Sequence, residues 1–290
     1  MAGILSGLDK IGLGDMGSMS IYDEPEEKSR EEAKSPEASS QGIKKMEEKD
    51  FLFPKSHTCP VCYAEFKTPT IRVNKLKPRG ADSDLRPRFD GIDPLKYDVV
   101  MCHECGYAAL GNYFEKITPP QAKLIKEGIS KRYRKVPESD TFSYDQAFMR
   151  YQLALGNTVV KRGKTSEKAY LCLKMAWIMR GKREAIEAGT EDYDHDNYLG
   201  VMQEIEQTGK ELLSNAIEGF VAARQNETFP MCGMDRNTID YIIAVEAMKI
   251  ENYAVASQTI DSLLARAGLS KAMKDKCKEM KTRLEHKVEL

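Results

Sequence analysis

Two short cysteine pairs constrain this chain more than any other feature: Cys59-Pro-Val-Cys62 and, further on, Cys102-His-Glu-Cys105. A C-x2-C turn points two sulfurs inward from one tight loop, and two such turns can clamp one tetrahedral ion at metal–sulfur distances of about 2.3 Å. The surrounding sequence holds short β-prone runs, T-P-T-I-R-V (68–73) and K-Y-D-V-V-M-C (96–102), punctuated by Pro78, Gly80, Pro87, Gly91 and Pro94. Pieces this short cannot form long helices. Residues 51–118 therefore read as a small, loop-rich, zinc-ribbon-like β module. Its own core is too small to hold it, so a metal would supply the missing stability.

Cys59, Cys62, Cys102 and Cys105 are the expected ligands, and zinc is the expected metal. Gly106 follows the second pair, where freedom to adopt positive φ lets backbone N–H groups turn toward sulfur. Tyr63 occupies the matching place in the first loop, and Pro60 stiffens that loop instead. Iron is the competing metal, because C-H-E-C-G-Y (102–107) resembles a rubredoxin knuckle and four thiolates suit iron equally well. That alternative would make the module an electron carrier, but the first loop lacks the glycine and no acidic electron-transfer surface is evident. His57 and His103 stand beside the pairs as substitute ligands; four thiolates suffice without them, so they read as polar neighbours. A closed four-thiolate site leaves no position for water or substrate, which points to a structural role. The chain has seven cysteines, an awkward number for a disulfide framework. Cys172, Cys232 and Cys277 read as unpaired, buried thiols in a reducing compartment.

From about residue 119 onward helical periodicity dominates. Pro119 and Pro120 open one helix, and Thr165 and Ser166 are expected to cap another. Three segments share the spacing A-x3-Φ-x2-A/L: Ala169–Leu173–Ala176, Ala216–Phe220–Ala223 and Ala256–Ile260–Leu263. This spacing matches the second helix of a tetratricopeptide (TPR) unit, where small residues permit close approach of helices. The repeat intervals exceed the usual ~34 residues, so a generic helical bundle stays open beside a TPR-like antiparallel helical array. The polar stretch E-D-Y-D-H-D-N (191–197) reads as an inter-helix loop, with Asp196 capping the next helix. Trp177 sits on an apolar helical face and reads as core. At the other end, Ile4, Leu5, Leu8, Ile11 and Leu13 suggest a short amphipathic helix. A Glu-, Lys-, Ser- and Pro-rich stretch follows that cannot offset its ordering entropy and reads as a disordered linker. Such a tethered apolar peptide suits docking onto a partner or onto the body of the same chain. The expected organisation is three sections, 1–50, 51–118 and 119–290, in an α+β, mostly α protein.

Composition narrows the function classes. With 41% hydrophobic and 31% charged residues and a net charge of −1, the chain looks soluble and lacks the overall positive field of a nucleic-acid binder. It carries no run apolar enough for a membrane span, no basic region before its apolar start, and Ala2 where myristoylation needs glycine, so a cytoplasmic location is expected. No G-x-S-x-G, P-loop, H-E-x-x-H or dinucleotide-binding glycine motif is present, and an enzyme is not the first expectation. Between the knuckles, Asp82, Asp84, Arg86 and Arg88 form a dense charged cluster, either a self-satisfied salt-bridge turn or a recognition loop for carboxylate or phosphate. Arg72, Lys75, Lys77 and Arg79 form a basic run, and Lys123, Lys126, Lys131, Arg132, Arg134 and Lys135 a second. Together they would serve a nucleic-acid-binding ribbon, although exposed faces are commonly charged.

The order of features resembles a bacterial family catalogued as domain of unknown function 2225. The resemblance is carried by C-P-V-C (59–62), D-S-D-L-R-P-R-F (82–89), G-I-D-P-L-K-Y-D-V-V-M-C-H-E-C-G-Y-A (91–108) and F-P-M-C-G-M (229–234). It covers about residues 45–290 and implies a cysteine-paired module followed by a TPR-like helical part, with no activity attached. Cys232 departs from the pattern. The expected function is that of a metal-binding adaptor whose helical surface holds a protein partner. A nucleic-acid-binding ribbon is the alternative.

Overall fold

The computed structural model describes Ile4, residues 6–13 and residues 47–288; the expected linker falls outside the described residues. Among the described residues, six short strands pair into three separate antiparallel hairpins. Strands β1 (Leu52–Thr58) and β2 (Glu65–Ile71) pair from Leu52 opposite Ile71 to Thr58 opposite Glu65. On β2 the side chains alternate, with Phe66 and Thr68 buried and Glu65 and Lys67 exposed, as expected when one face of a strand is covered. Strands β3 (Pro78–Ala81) and β4 (Pro87–Phe89) form a bulged second hairpin. Strands β5 (Val99–Met101) and β6 (Ala108–Leu110) form the third and are buried on both faces. An isolated two-stranded hairpin is marginal in water, so each needs something to lean on.

Eight α-helices among the described residues supply that support: α1 (Gly111–Phe114), α2 (Pro119–Ile125), α3 (Tyr144–Val160), α4 (Thr165–Glu187), α5 (Tyr198–Asn226), α6 (Arg236–Lys249), α7 (Tyr253–Ala265) and α8 (Lys271–Val288). Capping boxes start two of them, Thr118 with Gln121 before α2 and Ser143 with Gln146 before α3, each satisfying backbone donors that a helix start leaves open. The expected caps of α4 are corrected: Lys164 is the flanking residue. The backbone N–H and hydroxyl of Ser166 donate to Glu227 instead, at 2.9 and 2.5 Å. Likewise Asp196 caps no helix among the described residues. Asp194 accepts from the Asp196 N–H in a short 3-10 turn, and Asn197 flanks α5.

Helix α3 is buried nearly all round in its second half, with every residue from Tyr151 to Thr158 buried, as in a helix enclosed on several sides. It packs on β5 and β6, on α4 and on the short N-terminal 3-10 turn Ser6–Ile11. The chain then stacks in order, α4 on α5, α5 on α6, α6 on α7 and α7 on α8. Trp177 is core, as expected. The N-terminal segment docks on the body of its own chain: Leu8, Ile11 and Leu13 are buried, and the Arg134 N–H donates to the Ile11 carbonyl at 2.8 Å. One hydrophobic core runs from these residues through the cysteine hairpins into α3, α4, α5 and α6. A smaller cluster, with Tyr241, Ile260, Leu263 and Cys277, joins α6, α7 and α8. No helix among the described residues is long and apolar enough to cross a membrane.

Candidate metal centre

The two cysteine pairs occupy equivalent places, each filling the turn of a hairpin. Residues 59–64 join β1 to β2 and residues 102–107 join β5 to β6. Their backbones repeat the same pattern. Cys59 donates its N–H to the Ala64 carbonyl and Tyr63 donates to the Cys59 carbonyl, both at 2.9 Å. Cys102 donates to the Tyr107 carbonyl at 2.8 Å and Gly106 to the Cys102 carbonyl at 2.9 Å. The fifth residue is left-handed in both turns, Tyr63 with φ 63° and Gly106 with φ 74°. Tyr63 accepts the strained conformation with its ring in solvent, 73% exposed, and Lys126 stacks over it at 5.5 Å. Gly106 has a second reason to be glycine, because a Cβ there would lie 2.5 Å from the Tyr133 ring.

Facing turns bring four sulfurs together. Cys59 Sγ lies 3.6 Å from Cys105 Sγ, and Cys62 Sγ lies 3.6 Å from Cys102 Sγ; all four lie within 4.8 Å of one another. A disulfide requires about 2.05 Å. A tetrahedron with ~2.3 Å metal–sulfur bonds has edges of about 3.8 Å, so these sulfurs stand where tetrahedral ligands would. The Val61 N–H points at Cys59 Sγ at 3.4 Å, a backbone donor of the kind that supports thiolates. Sulfhydryl donors from Cys102 and Cys105 hold the Cys59 thiol down to about 4, whereas Cys105 is pushed far up by its hydrogen bonds with Cys102 and Cys59 and by burial. Four thiolates this close would repel one another, and a divalent ion held among them would relieve that repulsion.

The two histidines stay outside the sulfur cluster. His57 stacks on Phe66 and meets the edge of Phe114, both at 5.7 Å. His103 Nδ1 lies 3.2 Å from Glu138 Oε2. Glu138 also accepts from the Thr68 hydroxyl at 2.9 Å and from Arg150 at 3.2 Å, which ties the first hairpin and the second knuckle to α3. Nothing near Glu138 in the sequence signals this role, because its partners lie up to 70 residues away.

The charged loop between β3 and β4 turns inward. Asp84 is fully buried and Arg86 is 2% exposed. Asp84 accepts from Trp177 Nε1 at 2.9 Å and from Arg180 and Lys249 at 2.5 Å. Arg86 donates to Asp93 at 2.9 Å and to Glu184 at 3.1 Å. Arg88 bridges Asp82 at 2.8 Å and both oxygens of Glu184 at 2.6 Å. A cavity of about 610 Å³ borders this network, and its basic groups are paired within the chain, Lys96 with Glu48 at 2.6 Å among them. The basic run 72–79 lies on the exposed rim of the module. Arg72 donates to the Leu52 carbonyl at 2.9 Å, Lys75 to the Asp50 carbonyl at 2.8 Å, and Arg79 pairs with Asp90 at 2.9 Å. Lys77 is exposed beside them.

A model of the family described as "Uncharacterized protein conserved in bacteria (DUF2225)" matches residues 52–284, from the first strand of the cysteine module into the last helix. The chain belongs to this family. No curated protein and no solved structure matches it. In this DUF2225 protein, the F-P-M-C-G-M segment makes a tight turn before α6. Met231 and Met234 exchange backbone hydrogen bonds at 2.9 and 2.8 Å, and Cys232 and Gly233 both have positive φ, the signature of a type I′ turn. The Cys232 thiol donates to the Ser166 carbonyl at 3.3 Å, and burial pushes its pKa up to about 12. It anchors the turn to the start of α4, far from the sulfur cluster in role and in chemistry.

Proposed function

We propose that this protein is a zinc-stabilised adaptor. Cys59, Cys62, Cys102 and Cys105 hold one structural zinc ion, and α3 to α8 form a TPR-like stack that presents a surface to a protein partner in the cytoplasm. The observation that carries this reading is the near-tetrahedral cluster of four sulfurs, three of their residues buried, which no His, Asp or Glu joins among the described residues. Four thiolates complete the coordination of zinc and leave no open position for catalysis. The second support lies in the helices: all nine positions of the A-x3-Φ-x2-A/L spacing are buried on α4, α5 and α7, as close-packed helical pairs require. Sections 51–118 and 119–290 then act as one body, joined by Glu138 and by the Asp84 network.

The partner is tested by capture of tagged protein from lysate of its own cell, with and without nuclease. One stoichiometric protein that survives nuclease is the expected result. Recovery only of nucleic acid, lost on nuclease treatment, would overturn the adaptor reading in favour of the exposed 72–79 rim.

A further inference from the structure

A second, smaller cavity of about 260 Å³ opens where the end of α5, the first turns of α6 and the last turns of α7 meet. Its lining is basic. Arg224, Arg236 and Arg266 surround it, and Asp240 is its one acidic residue. Asp240 is 2% exposed and works as a bracket: Oδ1 accepts from Arg224 at 3.0 Å and Oδ2 from Arg266 at 2.7 Å. Arg266 is steadied further by Asn237 Oδ1 at 2.7 Å. Two guanidinium groups are thereby held in place before any ligand arrives. Arg236 stacks on the Phe229 ring at 5.4 Å and has no carboxylate partner among the described residues.

Three positive charges against one negative leave a surplus of two. A surplus held on preorganised guanidinium groups favours an anion, and guanidinium N–H groups match oxyanion geometry. A second observation is independent of charge. Thr259 lines the same cavity and is 2% exposed, yet its hydroxyl has no hydrogen-bond partner. A buried polar group left unpaired costs stability, so a ligand able to reach it recovers that loss. Gln225, Gln258 and Ser262 add neutral donors around the rim. Donors from several directions suit a tetrahedral dianion better than a planar carboxylate, which one guanidinium fork already satisfies.

We propose that the Arg224–Arg236–Arg266–Thr259 cavity binds a phosphoryl group, free or as a small monoester. The site is separate from the sulfur cluster and does not depend on the identity of the metal. The test is calorimetric titration of the full-length, metal-loaded chain with inorganic phosphate and with glycerol phosphate, at ionic strength matched by chloride, with acetate as the monoanion control. Saturable binding of phosphate and weaker binding of acetate are expected. Tighter binding of the ester than of phosphate would assign the remaining cavity to the ester's organic part; equal binding would assign free phosphate as sufficient. Arg236→Ala, at an exposed position, should keep the melting temperature of the free protein and weaken phosphate binding about tenfold or more. Thr259→Val should weaken binding while raising the melting temperature of the free protein, because it removes an unpaired hydroxyl. Absence of saturable phosphate binding, acetate binding equal to phosphate, or unchanged affinity in both variants would each overturn the proposal.

Discussion

Asp84 receives three donors in a place closed to water, and the carboxyl of Glu246 is buried against it. The two acids divide their roles by environment. The Arg180 guanidinium, the Lys249 ammonium and the hydrogen bond with Glu246 hold Asp84 far below the usual carboxylate range despite burial. Glu246 is pushed up to about 8, by burial first and by its hydrogen bond with Asp84 next. Its folded-state pKa lies above the ordinary value of 4.5, so its contribution to stability is complete below about pH 4.5 and is lost as pH rises through 8. Glu246→Gln removes that slope while keeping a donor for Asp84. Thermal melts should show the variant gaining on the parent between pH 5 and about pH 8.5; parallel curves would refute the assignment. At this scale the four clustered cysteines were legible in advance, because C-x2-C spacing is a local statement about one turn. Glu138, Glu184 and Glu246 were not, since each acts through partners far away in sequence, and a lone glutamate, on a helix or in a loop, looks like any solvated one.

The β3–β4 hairpin shows what an element of seven strand residues needs in order to hold its place. Its strands are too short to stand alone, and its tip is pinned to α4 and α6 by Asp84, Arg86 and Arg88. Removing one partner from a buried ionic network leaves the others desolvated and unpaired, at a cost of about 3–5 kcal/mol. Asp84→Asn should therefore lower stability by roughly that amount, read from the urea midpoint at unchanged slope. A loss below about 1 kcal/mol would show the hairpin is held by something else. The alternation of charges in D-S-D-L-R-P-R-F reads as a self-satisfied salt-bridge turn, but of its side-chain pairs it is Arg88–Asp82 that closes within the segment. That the salt bridges run outward to Arg180, Glu184 and Lys249 was beyond it, because periodicity identifies a helix face without saying what lands on it. Helix positions were legible for the same reason their caps were not: apolar spacing extends over many residues, whereas a cap depends on one local geometry. Ser166 shows this, since Glu227 rather than its own helix takes its hydroxyl.

Across the whole molecule, the cysteine hairpins share one continuous core with α3 and its neighbours. Composition and periodicity separate a β-rich section from a helical one, but they carry no information on how the two pack. This shared core has a thermodynamic consequence. Metal affinity is folding energy wherever the site forms only in the folded state, so if the proposed ion is bound, its loss should weaken the helices along with the cysteine hairpins. Under chelation, the far-ultraviolet helical signal and the fluorescence of Trp177, on α4, should melt together at a lower temperature, rather than in two steps. The most direct test of the central claim is the metal content of the purified chain, measured by elemental mass spectrometry beside its Cys102→Ser variant. A colourless parent with about one zinc per chain, and a variant that loses both zinc and the cooperative melt, are the predicted results. Stoichiometric iron with visible thiolate absorption, or a variant that keeps its metal and its melting temperature, would contradict a structural zinc at the heart of this fold.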